Sequence, residues 1–217
     1  MKKIFTLFAL LLAFVGVVNA QDATFDFTDA TGSKWDIPTS GTNTAEQTFT
    51  YDGVSIKLSA ADNYKQNGGY LILGKKDSYL ELPAFSFDVA KIEVVGRTGA
   101  STGVKQNIYV GDEAVSTETT GATTSNTYVI ADAKQAAGTI YKLKVTSNHN
   151  TQITKILVYK KTAVEAPVIS GTTPFTGSTE VTITCATEGA DIYYTTDDTT
   201  PTSASTKYTA AFTLDAS

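Results

Sequence analysis

Gln47-Thr48-Phe49-Thr50-Tyr51-Asp52-Gly53-Val54-Ser55-Ile56-Lys57-Leu58 carries the clearest structural signal in the chain. Two alternating segments flank Asp52-Gly53. A two-residue Asp-Gly loop is the strongest short-range hairpin signal, because both central residues must take positive φ. Pairing about that turn sets Tyr51 opposite Val54 and Phe49 opposite Ile56. Leu58 falls on the same face, so five apolar side chains share one side of the ribbon. Thr48, Thr50, Ser55 and Lys57 take the other. Turn chemistry and hydrophobic register agree, and a one-residue slip would destroy that agreement.

The same grammar runs outward in both directions. Thr24 to Thr28 alternates, and further strands are expected at Tyr70 to Leu73, Ser78 to Leu82, Lys91 to Arg97 and Gln106 to Val110. Thr127 to Ala131, Ile140 to Thr146 and Ile153 to Lys160 complete the set. Ile92 and Val94 alternate with Lys91 and Glu93, and Tyr141, Leu143 and Val145 with Lys142 and Lys144. Ala131 to Ala137 reads as a turn or a single helical turn. Closely spaced short strands without a 3.6-residue period predict an all-β sandwich or barrel. About one residue in six is Thr, which suits strands.

Residues 161–166 are polar and run into Pro167, as a linker does. Val181 to Cys185 and Asp191 to Thr195 are two more strands. The organisation predicted is residues 1–20 as an export signal, 21–160 as a first sandwich, and 167–217 as a second, incomplete one. Lys2-Lys3, an apolar run from Ile4 to Val18, and Val18-Asn19-Ala20 before Gln21 describe a secretory signal cleaved after Ala20. The run is too short for a span, which needs roughly 20 apolar residues. No membrane span is expected after cleavage, and the localisation is secreted, periplasmic or outer-surface.

Ala166-Pro167-Val168-Ile169-Ser170, Thr179 to Ile183, Ala190 to Asp197, Thr200-Pro201-Thr202, Thr206 to Thr209 and Phe212 to Leu214 occur in that order. Together they resemble the C-terminal Ig-like domain of bacterial chitobiases and β-hexosaminidases. The resemblance implies a non-catalytic Ig-like β-sandwich and one or two strands past Ser217. Asp198 stands where that family usually has Gly, so an Asp must take an awkward backbone position. "TFDF", "VAKIEVVG" and "ITKILVYK" in residues 23–160 resemble strands of galactose-binding-like jelly-roll modules of secreted Bacteroidetes proteins. That resemblance implies carbohydrate binding, sometimes with a structural calcium. The fold expected is therefore all-β: an N-terminal jelly-roll-like β-sandwich followed by a truncated Ig-like one.

Composition narrows the function. Net charge is −5, and residues 1–20 hold two lysines and no acid, so the remainder is more acidic still. Without a basic cluster, no nucleic-acid footprint is expected. One Cys excludes an internal disulfide and a multi-cysteine zinc site, and one His excludes a multi-histidine centre. Cys185 alternates with Val181 and Ile183 and belongs with core packing, and His149 lies in a surface turn. Glu46, Glu81, Glu93, Glu113 and Glu118 sit near short strands with no pocket motif, so paired-carboxylate hydrolysis is not expected.

A sugar site needs an aromatic face with amides or carboxylates beside it. The ligand-binding candidates are Trp35, in Gly32-Ser33-Lys34-Trp35-Asp36, and Tyr64 with Asn63 and Asn67 in a Gly-rich loop. Trp35 either lies at the rim or plugs the sandwich, and the asparagines serve either ligand or turn. No cofactor is expected beyond a structural calcium, for which Asp26, Asp29, Asp36, Asp197 and Asp198 are the carboxylates available, against the plainer reading as solvated acids. The function expected is a secreted, non-catalytic accessory protein binding a polysaccharide or cell-surface glycan. The alternatives are an adhesion spacer, and the N-terminal fragment of a secreted multidomain hydrolase or nuclease.

Overall fold

The computed structural model describes residues 9–12, 22–29, 31, 34–97, 102–120, 125–162, 164–187 and 190–215. The rest of the expected export signal, and Gly32-Ser33 beside Trp35, lie outside the described residues. The strands are β1 (Ala9–Leu12), β2 (Ala23–Asp26), β3 (Gln47–Tyr51), β4 (Val54–Ser59), β5 (Tyr64–Gln66), β6 (Leu71–Leu73), β7 (Tyr79–Glu81), β8 (Val89–Gly96), β9 (Lys105–Val110), β10 (Glu113–Ala114) and β11 (Thr119–Thr120). After them come β12 (Ser125–Val129), β13 (Lys142–Val145), β14 (Thr151–Lys160), β15 (Val168–Ser170), β16 (Ser178–Thr184), β17 (Asp191–Tyr194), β18 (Thr206–Lys207) and β19 (Phe212–Asp215). One 3-10 turn, Asp132–Lys134, occupies the helix-like stretch. The chain is all-β among the described residues, and it divides into two compact units: Ala20–Lys161, and Thr162–Ser217 with Met1–Asn19.

The hairpin forms in the expected register, Tyr51 opposite Val54 and Phe49 opposite Ile56. Asp52 and Gly53 take φ of 50° and 75°. Phe49, Ile56 and Leu58 are buried, while Tyr51 and Val54, at the tip, stay exposed. Outward from it, a seven-stranded antiparallel sheet runs β10-β9-β13-β7-β4-β3, with β11 also on β9. A six-stranded sheet runs β12-β8-β14-β6-β5, with β2 alongside β14. The inward residues of both sheets form one core, in which Leu58, Leu80, Leu143 and Ile108 meet Ile92, Val94, Ile156 and Val158. Alternation of apolar and polar residues makes each strand bury one face.

In the second unit one sheet is β15-β16-β19 and the other β1-β17-β18. Val181 and Ile183 of β16 meet Ile192 of β17, with Cys185, Tyr194, Tyr208, Phe212 and Leu214 packed around them. Cys185 lies just past the end of β16, half-buried, its Sγ 3.3 Å from the Glu165 carbonyl. Asp198 has φ of 65°, the strained position its sequence context implies.

Leu80 is fully buried and lies opposite both Leu58 and Leu143. Leu80→Ala is expected to lower unfolding free energy by about 2–5 kcal/mol, through lost transfer and the cavity left behind. Gly53→Ala, which puts a Cβ on a positive-φ position, is expected to cost about 1 kcal/mol. Urea unfolding of the two variants checks both.

Candidate functional site

The rings singled out in the sequence are structural. Trp35 is 4% exposed. Its indole N–H donates to the Asp26 carbonyl at 3.0 Å, and its ring lies among Phe25, Phe27 and Tyr51 at 6.1, 5.9 and 5.6 Å between centroids. It closes one end of the sandwich and presents no face to a sugar. Tyr64 is fully buried, edge-on to Phe49, and its hydroxyl donates to the Ala45 carbonyl at 3.0 Å. The two rings therefore form no stacking platform.

Asn63 and Asn67 are turn residues. Asn63 accepts from the Asn43 amide at 2.7 Å and donates to the Gly41 carbonyl at 3.2 Å. The Asn67 side chain donates to the Tyr70 hydroxyl. Such side chains organise loops by replacing backbone partners. Of the carboxylates considered for calcium, Asp26, Asp29 and Asp197 accept local hydrogen bonds. Asp26 accepts from the Thr28 amide and hydroxyl, and Asp29 from Thr31 and from the Lys34 amide.

Half-buried aromatic and polar groups gather instead on the outer face of the seven-stranded sheet. Strand pairing lines up Thr48, Lys57, Glu81, Lys142 and Tyr109 in one row across five strands. A second row holds Ser59, Tyr79, Lys144 and Asn107. The buried leucines and Ile108 lie between them, so the pleat fixes both rows outward. Tyr79 and Tyr109 are separated by two strands and two residues, about 12 Å by ordinary sheet spacings.

These side chains are linked. Glu81 holds Lys57 at 2.8 Å through one oxygen and Lys142 at 3.1 Å through the other. Lys142 lies over the Tyr79 ring at 4.7 Å, and Lys144 over the Tyr109 ring at 4.8 Å. The Tyr79 hydroxyl donates to Glu46. Asn107, itself buried, donates to the Ser116 carbonyl at 2.9 Å, in the segment between β10 and β11. Partial burial raises the Glu81 carboxyl, but hydrogen bonds from Lys57 and Lys142 outweigh it and leave the pKa below its ordinary value. Tyr79 is pushed up to about 12, first by its hydrogen bond to Glu46 and then by burial.

Chemically, the face is an amphipathic plate. Lys57, Lys142 and Lys144 balance Glu46, Glu81 and Asp112, so it carries no strong field of either sign. Its lysines cap the tyrosine rings with cation–π contacts worth about 0.5–1 kcal/mol each at exposed sites, weak enough for a ligand to displace. Glu81 stays ionised and cannot act as a proton donor near neutral pH. Lys142 and Lys144 were legible as outward residues from their alternation. That Tyr79 and Tyr109 flank them was not, because it depends on β13 inserting between β7 and β9.

Comparison with protein families gives one finding. A family described as "Fn3 associated" matches residues 181–217, from within β16 to the end of the chain. The C-terminal part is thus an Ig/fibronectin-like β domain, which the two small facing sheets of that unit agree with. Comparison with curated proteins and with solved structures gave no match.

The Tyr79–Glu46 pair predicts a pH signature. A hydroxyl whose folded pKa lies above its ordinary value of 10.0 stabilises the fold fully below pH 10, and that stability is lost as pH rises through about 12. Glu46→Gln is expected to bring the Tyr79 titration back toward 10.0 and to reduce the loss over that alkaline window. Ultraviolet titration, assigned with Tyr79→Phe, measures it. On the acid side the sign is reversed. Glu81 contributes stability above its ordinary value of 4.5 that is lost as pH falls through its depressed folded value. Glu81→Gln should flatten that acid limb in urea-unfolding curves.

Proposed function

We propose that the protein is an exported, non-catalytic binding protein whose first unit takes an uncharged, hydroxyl-rich ligand, a polysaccharide or cell-surface glycan, on the outer face of the seven-stranded sheet. The observation that carries this reading is the paired rows of Tyr79, Tyr109, Lys57, Lys142, Lys144 and Glu81 on one face of the sheet. The tyrosine rings supply stacking surface for the apolar side of a pyranose. Lysine ammonium and carboxylate groups beside them supply hydrogen bonds to hydroxyls. Charge balance favours a neutral glycan over nucleic acid or a polyanion.

Export is supported by the Lys2-Lys3 start, the short apolar run and the small residues before Gln21. The jelly-roll-like strand pattern of residues 21–160 and the chitobiase-type pattern of the C-terminal part are consistent with an accessory module on a secreted protein. In this reading the fibronectin-like domain is a spacer. A purely adhesive or structural spacer is the rival reading, favoured by that domain alone. Ionised Glu81, bound by two lysines, supports the absence of acid–base chemistry on the face.

Affinity electrophoresis of the whole chain through gels holding neutral polysaccharides tests the proposal. Retardation by at least one polysaccharide is expected, with Tyr109→Ala and Lys142→Met each weakening it about threefold to tenfold, the size of one lost aromatic or polar contact. Circular dichroism must show both variants folded. No retardation by any neutral polysaccharide, or retardation indifferent to both substitutions, contradicts it.

A further inference from the structure

The two tyrosines of the proposed ligand face are placed alike. β13 runs between β7 and β9, and its alternate residues Lys142 and Lys144 share the outer face with them. Tyr79 on β7 lies opposite Lys144, and Tyr109 on β9 opposite Lys142. Each lysine crosses to the diagonal ring. The Lys142 ammonium is 4.7 Å from the Tyr79 ring centre, and that of Lys144 is 4.8 Å from the Tyr109 ring centre. A carboxylate faces each ammonium, Glu81 at 3.1 Å from Lys142 and Asp112 at 3.9 Å from Lys144. The face thus holds two like subsites on either side of position 143, each a half-buried ring with an ammonium over it. The line joining them runs oblique to the strands and is about 12 Å long by ordinary sheet spacings.

Such a pair selects among neutral glycans by shape. Directly bonded pyranoses lie too close together to stack on both rings, whereas alternate residues of an extended chain recur at a comparable spacing. In a β-1,4-linked chain each residue is turned over relative to the next, so alternate residues present the same apolar face to one side. Chains that are β-1,3- or α-1,4-linked curl and do not. Resting on the reading that this face binds a neutral glycan, we propose that the ligand is an unbranched, extended β-1,4-linked pyranose chain lying obliquely across β7, β13 and β9. Alternate sugars stack on Tyr79 and Tyr109. The sugar between them lies over β13, where Lys142 and Lys144, moved off the rings, donate hydrogen bonds to its hydroxyls. Three sugars are the shortest chain that fills both subsites.

Calorimetric titration of the whole chain with β-1,4-linked oligosaccharides of glucose, mannose and N-acetylglucosamine, from two to six residues long, tests this. In at least one series affinity should rise about threefold to tenfold from disaccharide to trisaccharide, the size of one added aromatic contact, with smaller gains beyond. Tyr79→Ala and Tyr109→Ala should each abolish that step. Tyr79→Phe and Tyr109→Phe, which keep the ring faces, should recover it, and circular dichroism must show all four variants folded. The β-1,3- and α-1,4-linked glucose series should show no such step. Equal affinity for disaccharide and trisaccharide overturns the proposal. So does a step that survives either alanine substitution, an equal step in a curled series, or binding confined to glycans without β-1,4 links. Each of these leaves the face as a glycan site. Failure of every neutral polysaccharide to retard the protein contradicts that reading itself, and this inference with it.

Discussion

The first unit depends on β14 holding aliphatic side chains against the core across a break in its own alternation. Thr151 and Ile153 point inward, then Ile156 and Val158, an odd step from one pair to the next. A regular strand cannot do this, because successive residues face opposite ways. The register against β8 shifts between Ile153 and Lys155, and this irregularity re-aims the second half of the strand. One strand can then serve β6 through Thr151–Ile153 and β2 through Lys155–Val158 along one edge, with β8 along the other. The six-stranded sheet hangs on that arrangement. The packed core then fixes which face of the opposite sheet looks outward.

What was legible in the sequence follows from local chemistry. Asp52-Gly53 announced its turn because positive φ is open to few residues, and the flanking alternation agreed with it. Asp198 was legible as strained for the same reason. The β14 break was not, since Ile153-Thr154-Lys155-Ile156 reads equally as a strand with one stray lysine. Short strands such as β5, β10 and β11 carry too few residues to show a period.

The candidate site was legible only in pieces. Aromatic residues in polar, Gly-rich surroundings suggested exposed rings at Trp35 and Tyr64. Loop composition reports what the backbone does, however, and not where a ring points. Trp35 turns inward because its indole N–H reaches the Asp26 carbonyl amid Phe25 and Phe27. Tyr64 turns inward because β5 belongs to the six-stranded sheet and its hydroxyl finds Ala45. The plate of Tyr79, Tyr109 and the lysines is assembled from strands distant in sequence. Each contributes an outward residue that looks ordinary alone, and only the pairing β7-β13-β9 makes them a surface.

The indole of Trp35 is buried in the core, and the proposed ligand face is the sheet instead. Trp35 is the only tryptophan in the chain, so its fluorescence reports that claim without ambiguity. Native protein should emit blue-shifted light, resist acrylamide quenching, and show no change when a bound polysaccharide is added. Red-shifted emission with ready quenching, or an emission change on ligand binding that Tyr109→Ala leaves intact, would place the indole at the binding surface and not in the core.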